Sequence, residues 1–177
     1  MQRKINLADC VRSIPDFPKP GILFRDITTL LENGKAFKKV VDELAAKFKA
    51  KKIDKVVGVE ARGFILGAAV AYKLGVGFVP VRKKGKLPWK TESVTYSLEY
   101  GTDTLEMHAD ALTKGMRVLI IDDLLATGGT VKAVTELVEG QGAKVIGIGF
   151  VIELVDLKGK AKLAPQRIVS LIKFKGE

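Results

Sequence analysis

Short apolar runs alternate along this chain with longer segments of helical spacing or composition. The predicted strands are residues 56–59, 76–81, 117–121 and 144–152. The predicted helices are residues 36–52, 64–74 and 130–138. Strands that alternate with helices build a mainly parallel, twisted sheet with right-handed crossovers and flanking helices. Because no linker or internal repeat divides the sequence, we expect a single α/β domain over residues 1–177.

One segment interrupts that alternation. Residues 83–95 are rich in lysine, glycine and proline without a sustained period, which predicts a loop. Residues 94–100 and 104–108 are two short alternating segments, predicted as a hairpin that turns at residues 100–103. We therefore expect residues 83–108 to form a flexible loop and hairpin inserted into the sheet scheme.

The chain carries a formal net charge of +10, much of it in residues 35–55, 82–90 and 158–175. Such a charge suits a nucleic-acid partner, a small polyanion or solubility alone. In the first and third clusters lysines alternate with apolar residues at helical spacing, which predicts solvated helix faces. The second cluster has no such period and is the candidate for binding an anionic ligand.

Composition narrows the class of protein. Hydrophobic residues make up 47% and charged residues 28% of the chain, the balance of a folded globular protein. No apolar run reaches the roughly 18 to 20 residues that span a bilayer, and the N-terminus lacks a signal-peptide pattern. Cys10 is the single cysteine, which excludes a disulfide framework. These features predict a cytoplasmic protein without a membrane partner.

The strongest signal is VLIIDDLLATGGT at residues 118–130, a predicted buried strand that ends in two carboxylates and a small-residue turn. Ligands bind at the carboxyl ends of parallel strands. Backbone N–H groups and threonine hydroxyls of the turn can surround a phosphate at the positive N-terminus of the next helix, which Thr130 is expected to cap. Asp122 and Asp123 can accept hydrogen bonds from the neighbouring hydroxyls of a ribose. The alternative is an acidic strand end in solvent, followed by an ordinary glycine turn.

This stretch resembles the signature of the type I phosphoribosyltransferases, in the version found in their adenine-specific members. The resemblance implies the fold of that family and its substrate, 5-phosphoribosyl-1-pyrophosphate (PRPP). It also implies that Asp122 and Asp123 hold the ribose of PRPP. The residues implied to hold the 5-phosphate are Ala126, Thr127, Gly128, Gly129 and Thr130.

Near the N-terminus, IPDFPKPGILFRDI is similar to the opening segment of the adenine-specific enzymes. The resemblance implies that residues 1–33 form a small N-terminal hood that binds the base. Phe24 would stack on one face of adenine and Leu124 would close the other, an arrangement that suits a flat heterocycle. Main-chain groups around Phe24 and Arg25 would contact the base edge. The alternatives are core packing for Phe24 and an ion pair, with Asp26, for Arg25.

A second anion site is predicted at Glu60, Ala61 and Arg62, which follow a predicted strand and precede a helix. Members of the family bind pyrophosphate here, often with a cis peptide that corresponds to Glu60–Ala61. Many relatives have an aspartate–serine pair at those two positions, so this chain departs from the pattern and would bind through backbone groups. The resemblance adds three pyrophosphate contacts from the basic cluster, namely Arg82, Lys83 and Lys86.

The sequence SLEYG at residues 97–101 matches the family closely and sets Glu99 at the position of its catalytic glutamate, with Tyr100 beside it. The resemblance implies a purine-salvage enzyme that transfers the phosphoribosyl group of PRPP to adenine, giving AMP and pyrophosphate. The charge of PRPP implies Mg²⁺ held mainly by substrate and water, without a protein metal site. A homodimer is typical of the family, and no nucleic-acid partner is expected.

Two other functions stay open from the sequence. One is a phosphoribosyltransferase for another purine base, such as xanthine or guanine, which Phe24, Arg25 and SLEYG argue against. The other is a PRPP-sensing regulator that binds nucleic acid, which the net charge of +10 favours and the lack of room for a winged-helix domain opposes. His108, Trp89 and Cys10 have no partner at a spacing that indicates chemistry.

Overall fold

The computed structural model describes residues 5–98 and 101–176. Within these ranges the strands are β1 (Arg12–Pro15), β2 (Leu23–Asp26), β3 (Lys55–Val59), β4 (Gly77–Lys83), β5 (Thr91–Leu98), β6 (Gly101–His108), β7 (Arg117–Leu125), β8 (Lys144–Leu154) and β9 (Ile168–Phe174). The helices there are α1 (Thr28–Glu32), α2 (Gly34–Phe48), α3 (Arg62–Leu74), α4 (Gly129–Gly140) and α5 (Gly159–Lys162).

The main sheet has seven strands in the order β5-β6-β4-β3-β7-β8-β9. Strands β4, β3, β7, β8 and β9 are parallel neighbours, and the antiparallel hairpin of β5 and β6 extends the sheet beside β4. A separate antiparallel pair, β1 and β2, forms the N-terminal segment. The predicted fold class, a mainly parallel sheet flanked by helices with an inserted hairpin, is confirmed.

Strand β7 lies inside the sheet, between β3 and β8, and is buried on both faces. Val118 and Ile120 belong to one apolar cluster with helix α4, whereas Leu119 and Ile121 belong to another with helices α2 and α3. Because side chains alternate along a strand, these two pairs lie on opposite faces of the sheet. A strand covered on both faces needs an unbroken apolar run, which is why this segment is so hydrophobic.

Helix α2 covers one of these faces. The side-chain oxygen of Asn33 accepts hydrogen bonds of 3.1 Å from the amides of Lys35 and Ala36 and so caps its first turn. The helix ends at Phe48, so the prediction of helix over residues 49–52 is wrong. Among the described residues, no helix is long and apolar enough to span a membrane.

The inserted hairpin is longer than predicted. Strands β5 and β6 pair in one continuous register along their whole length. Residues 91–93 were predicted only as loop but lie in β5, where the two threonines and the valine of residues 91–95 favour extended backbone. The predicted turn over residues 100–103 is wrong for Gly101, Thr102 and Asp103, which pair with β5. Residues 99–100, between the two strands, lie outside the described residues.

The third basic cluster contains a strand. Ile168–Phe174 forms β9, which lies parallel to β8 at the edge of the sheet. The helical spacing predicted over residues 158–175 is therefore wrong at β9, whereas the predicted solvated surface is confirmed at Lys173 and Lys175. The β-branched residues of this segment favour a strand, and Ile172 is buried beneath the sheet edge while Lys173 is exposed.

Replacing Phe48 by alanine should lower the free energy of unfolding by about 3–5 kcal/mol, the range for deleting a buried aromatic ring. The ring is fully buried and packs so closely on Gly147 that a Cβ there would lie 2.4 Å from it. Urea unfolding measures the loss. Lys47→Gln, at an exposed position of the same helix, is the control and should change stability by less than about 0.5 kcal/mol. Equal stability of both variants would contradict the packing of α2 on the sheet.

Candidate active site

The carboxyl ends of β3, β4 and β7 meet at one edge of the sheet, and most of the predicted site residues lie there. Strand β7 continues through Asp122 and Asp123 to Leu125 and pairs with β8 along that stretch. The prediction that the acids end the strand is therefore wrong, because the ladder with β8 extends past them. Asp123 is only 6% exposed, which excludes the alternative of an acid simply pointing into solvent.

Asp122 lies close to the start of helix α3. Its Oδ1 accepts a hydrogen bond from the amide of Asp123 at 2.9 Å. An added Cβ on Gly63 would lie 2.7 Å from the same oxygen, so a glycine is needed where α3 approaches the acid. Burial, and next the neighbouring Asp123 carboxylate, raise the pKa of Asp122 well above its ordinary value, against the lowering effect of that hydrogen bond.

The turn of residues 126–130 connects β7 to α4 and is named the phosphate turn below. Gly128 has a φ of 81° and directly precedes Gly129, the first residue of α4. The turn and Asp122 line a cavity of about 90 Å³. Amides without a helical partner and the positive end of the helix dipole face such a space at a helix N-terminus. This geometry suits a bound phosphate group.

Thr130 does not cap α4, in contrast to the prediction. Gly128 is the N-cap residue, and among the described residues no N-cap side chain accepts a hydrogen bond from the first amides of the helix. Thr130 Oγ1 instead donates to the Tyr96 hydroxyl of β5 at 3.4 Å. Tyr96, which the sequence reasoning missed, thus connects the phosphate turn to the hairpin. The predicted catalytic residues Glu99 and Tyr100 lie outside the described residues.

Arg62 joins three of the predicted subsites. It begins α3 just after the Glu60–Ala61 peptide, which is cis as the resemblance implied. Its Nε donates a hydrogen bond to Asp123 Oδ2. Its guanidinium carbon lies 5.6 Å from the centre of the Phe24 ring, within the range of a cation–π contact. Residues predicted for pyrophosphate, ribose and base are therefore linked through one side chain.

The basic turn after β4 is held by acids rather than left free in solvent. Arg82 Nε donates to Glu60 Oε2 at 2.5 Å, and its Nη1 donates to the carbonyl of Lys86 at 3.1 Å. Lys83 Nζ lies 3.0 Å from Asp103 Oδ2. The hydrogen bond and charge of that carboxylate raise the pKa of Lys83. The alternative of a purely solvated basic loop therefore fails for Arg82, whereas the side chains of Lys83 and Lys86 are exposed.

The predicted base residues lie in different environments. Phe24 is half-buried on β2, and the ring of Phe17 meets it edge-on with centroids 5.1 Å apart. Leu124 is half-buried and packs against the apolar cluster of α2 and α3. Phe24 is not a member of either apolar cluster in the described part of the chain, which disfavours the alternative of plain core packing.

Arg25 holds the N-terminal segment together. It donates from Nη1 to Ser13 Oγ at 2.6 Å, and its guanidinium carbon lies 3.9 Å from the centre of the Phe174 ring at the end of β9. Asp26, its suggested ion-pair partner, lies 3.7 Å from Arg12 instead. The side chain of Arg25 therefore fixes β2 against β1 and β9.

Sequence reasoning also missed Glu106. This acid is 8% exposed on β6, and its Oε2 accepts a hydrogen bond of 2.9 Å from the amide of Gly85 in the basic turn. A charged residue at a buried position is rare without a partner, but the alternation of β6 alone does not reveal which turn it binds. Its effect is to fix the backbone between Lys83 and Lys86.

The donors at this end of the sheet fit a magnesium ion only in part. In residues 5–98 and 101–176, no group of three or more His, Cys, Asp or Glu side chains is arranged to hold a metal. Asp122 and Asp123 offer carboxylate oxygens, the ligand type that Mg²⁺ prefers, and a Mg²⁺ ion usually keeps several water and phosphate ligands. These donors fit an ion whose remaining ligands come from a bound diphosphate and water.

The family model of the phosphoribosyl transferase domain matches residues 28–173. The chain therefore belongs to the phosphoribosyltransferase family. Within that family it is similar to proteins named adenine phosphoribosyltransferase. The one from Roseiflexus sp. (strain RS-1) is 57% identical over 169 residues, which cover 96% of this chain and 98% of that protein. The one from Syntrophotalea carbinolica is 59% identical and covers 96% of this chain and 99% of that protein.

Solved structures give the same result. The crystal structure of adenine phosphoribosyltransferase from Thermoanaerobacter pseudethanolicus matches with a TM-score of 0.92 and 54% identity, covering 95% of this chain and 98% of that one. The Giardia lamblia enzyme complexed with 9-deazaadenine matches with a TM-score of 0.90 and 42% identity, covering 97% of this chain and 99% of that one. The fold that the resemblance implied is therefore confirmed.

Replacing Asp122 by asparagine should stabilise the ligand-free protein more at about pH 8 than at about pH 4. The folded-state pKa of Asp122 is raised, so its carboxyl increasingly opposes folding as the pH rises from the ordinary aspartate value through the raised one. Asparagine does not ionise, so the variant avoids the loss of stability that Asp122 causes as the pH rises. Urea unfolding in EDTA at several pH values measures the effect.

Asp26→Asn is a control of opposite sign. The amide and then the hydroxyl of Thr28 lower the pKa of Asp26, so its stabilisation is complete above the ordinary aspartate pKa and is lost as the pH falls through the lowered value. This variant should lose more stability at neutral pH than in acid. If both variants showed the same pH dependence, the raised pKa of Asp122 would be contradicted.

Proposed function

We propose that this chain transfers the phosphoribosyl group of PRPP to adenine, giving AMP and pyrophosphate. One observation carries the proposal: Phe24, Arg62 and Asp123 form a continuous chain of contacts at the sheet edge that also carries the phosphate turn. These are the residue types that a base, a diphosphate, a ribose and a phosphate require. Relatives named adenine phosphoribosyltransferase over nearly the whole chain support adenine as the base.

The sugar phosphate is proposed to bind between β7 and α4. The amides of the phosphate turn and the hydroxyls of Thr127 and Thr130 would donate to the 5-phosphate, in the positive field of the helix N-terminus. Asp122 and Asp123 would accept hydrogen bonds from the two ribose hydroxyls. The close approach of Gly63 fixes Asp122 in position for this, because a side chain at residue 63 would collide with its carboxyl.

The diphosphate is proposed to replace carboxylates that pair with the cations in the ligand-free chain. In the ligand-free chain, Arg82 is hydrogen-bonded to Glu60 and Arg62 is hydrogen-bonded to Asp123. A diphosphate offers more charge and more acceptor oxygens than a carboxylate, so it competes well for guanidinium groups. When Arg62 turns to the diphosphate, the carboxylate of Asp123 becomes free to accept hydrogen bonds from the ribose hydroxyls.

The same movement opens the base site. The guanidinium of Arg62 lies near the face of the Phe24 ring in the ligand-free chain. Its withdrawal toward the diphosphate would leave that aromatic face for adenine, with Leu124 on the opposite side. Phe17, edge-on to Phe24, would keep the ring from rotating away.

The reaction breaks the bond between the anomeric carbon and a pyrophosphate oxygen and forms a bond from that carbon to a ring nitrogen of adenine, which loses a proton. Its transition state is expected to resemble an oxocarbenium ion. Arg62, Arg82 and Lys83 would stabilise charge on the departing diphosphate, and the aligned subsites would hold the two reactants in position. Glu99 would accept the adenine proton, and the hairpin would exclude water that competes for the sugar.

Magnesium, a homodimer and a cytoplasmic location are parts of the same proposal. Bound Mg²⁺ would neutralise charge on the diphosphate and would be held mainly by substrate and water, with Asp122 and Asp123 offering carboxylate oxygens. The dimer is supported by Ile65 and Tyr72, which are 47% and 89% exposed on helix α3 and lie two turns apart on one apolar face. The cytoplasmic location is supported by the single cysteine of the sequence.

The purified chain, incubated with PRPP, Mg²⁺ and adenine, should form AMP and pyrophosphate, as measured by nucleotide chromatography. Guanine, hypoxanthine and xanthine, offered in competition, should yield much less product. A preference for one of these bases would replace adenine in the proposal. Absence of any nucleotide product, together with nucleic-acid binding that weakens steeply with salt, would instead favour the PRPP-sensing regulator.

Glu99→Leu should lower kcat by about 100- to 10,000-fold, the range for loss of a general acid–base group, and should leave the KM for PRPP almost unchanged. Steady-state kinetics with adenine in excess measure both constants. Glu92→Leu, at an exposed position of the same hairpin, is the matched control and should retain full activity. Equal losses in the two variants would remove Glu99 from the proton transfer.

A further inference from the structure

The phosphate turn rests on a second stretch of backbone, residues 155–162, which we name the support segment. The contact is made by two glycines. A Cβ added to Gly159 would lie 2.2 Å from the Ala126 carbonyl oxygen and 3.1 Å from the Gly128 nitrogen. A Cβ added to Gly128 would lie 2.8 Å from the Gly159 carbonyl oxygen. The phosphate turn and the support segment are therefore in direct backbone contact, and a side chain on either glycine would collide with the other segment.

The support segment is itself anchored at both ends. Glu153, at the end of β8, is in register with Leu125 just before the phosphate turn. Its carboxylate is 7% exposed and lies 2.8 Å from Lys160 Nζ of α5. Leu163, directly after α5, is buried in the same apolar cluster as Leu125. The segment thus cannot move without disturbing either this ion pair or the core.

A phosphate site made of amides depends on the direction of each N–H group. A glycine-rich turn has many backbone conformations available, and fixing each residue costs conformational entropy. A rigid surface behind the turn removes those alternatives before the ligand arrives. Ligand binding then avoids part of that entropic loss.

We propose that the support segment positions the phosphate turn for binding the 5-phosphate of PRPP, with Gly159 as the contact and the Glu153–Lys160 ion pair as its anchor. These are positioning residues that act through the backbone of residues 126–130. The proposal rests on the proposed function for the identity of the ligand. The packing of Gly159 on the turn is independent of that function.

The test compares Gly159→Ala and Lys160→Met with the wild-type chain. Gly159→Ala displaces the turn, and a displacement near 1 Å can cost about 100-fold, so we expect the KM for PRPP to rise about tenfold or more. Lys160→Met should raise that KM less, and Lys160→Arg, which keeps the ion pair, should restore it. The value of kcat at saturating PRPP should change less than KM, because the loss is in binding.

Gly140→Ala, at the far end of α4, is the matched control. A Cβ at that glycine meets no atom within 4 Å, so its kinetics should equal those of the wild type. Melting temperatures are measured for every variant. A purely structural role would lower the melting temperature and leave the KM of the folded enzyme unchanged, which would overturn the proposal. If Gly159→Ala does not fold, the Lys160→Met and Lys160→Arg pair decides by the same KM criterion.

Amide hydrogen exchange separates this inference from the proposed function. In the ligand-free protein, Gly159→Ala and Lys160→Met should speed exchange of the amides of residues 126–130, relative to Gly140→Ala. This readout needs no substrate, so it stands even if the chain forms no AMP. Unchanged exchange and unchanged KM in Lys160→Met, with the protein folded, would overturn the positioning role.

Discussion

Two neighbouring carboxylates on a buried strand are the constraint from which the rest of the site follows. Asp122 and Asp123 repel each other, and burial adds to the free energy of keeping Asp122 charged. The protein compensates with a hydrogen bond from Arg62 to Asp123 and with the amide of Asp123 on Asp122. Helix α3 must come close to supply Arg62, and this approach is the reason for a glycine at residue 63. The repulsion between Asp122 and Asp123 thus accounts for the close packing of α3 against β7.

The ligand-free chain already contains the charge pattern that a bound PRPP would complete. Arg62, Arg82 and Lys83 each pair with a carboxylate. In the proposed complex, phosphate oxygens take the place of these carboxylates. Without such partners, several cations gathered at one edge would repel each other, and the loop that carries them would lose order. The acids therefore neutralise these cations in the free state, and we propose that a ligand with higher charge density displaces them.

The sequence predicted those features that a local pattern determines. Strand β7 was found because burial on both faces requires an apolar run, and the phosphate turn because only small residues allow backbone amides to converge. Strand β9 was missed because its lysines were read as part of a helical pattern, despite its β-branched residues. The pairing of β1 with β2 was missed because it depends on contacts between residues that are distant in the sequence. The Tyr96–Thr130 contact was missed for the same reason, as 34 residues separate its partners. The hydrogen bond from Arg62 to Asp123 depends on how α3 packs beside β7, which the spacing of residues in the sequence does not indicate.

The phosphate turn shows why a recognised motif is an incomplete description of a site. Its residues supply amides and hydroxyls, but their directions depend on contacts from both sides, with the hydroxyl of Tyr96 on Thr130 and the backbone of Gly159 beneath Gly128. Neither contacting residue lies in the motif. Gly159 has no side chain, and this absence is what allows the two backbone segments to pack closely. Two chains with the same turn can therefore bind a phosphate with different strength, and the difference lies in the segments that pack against it.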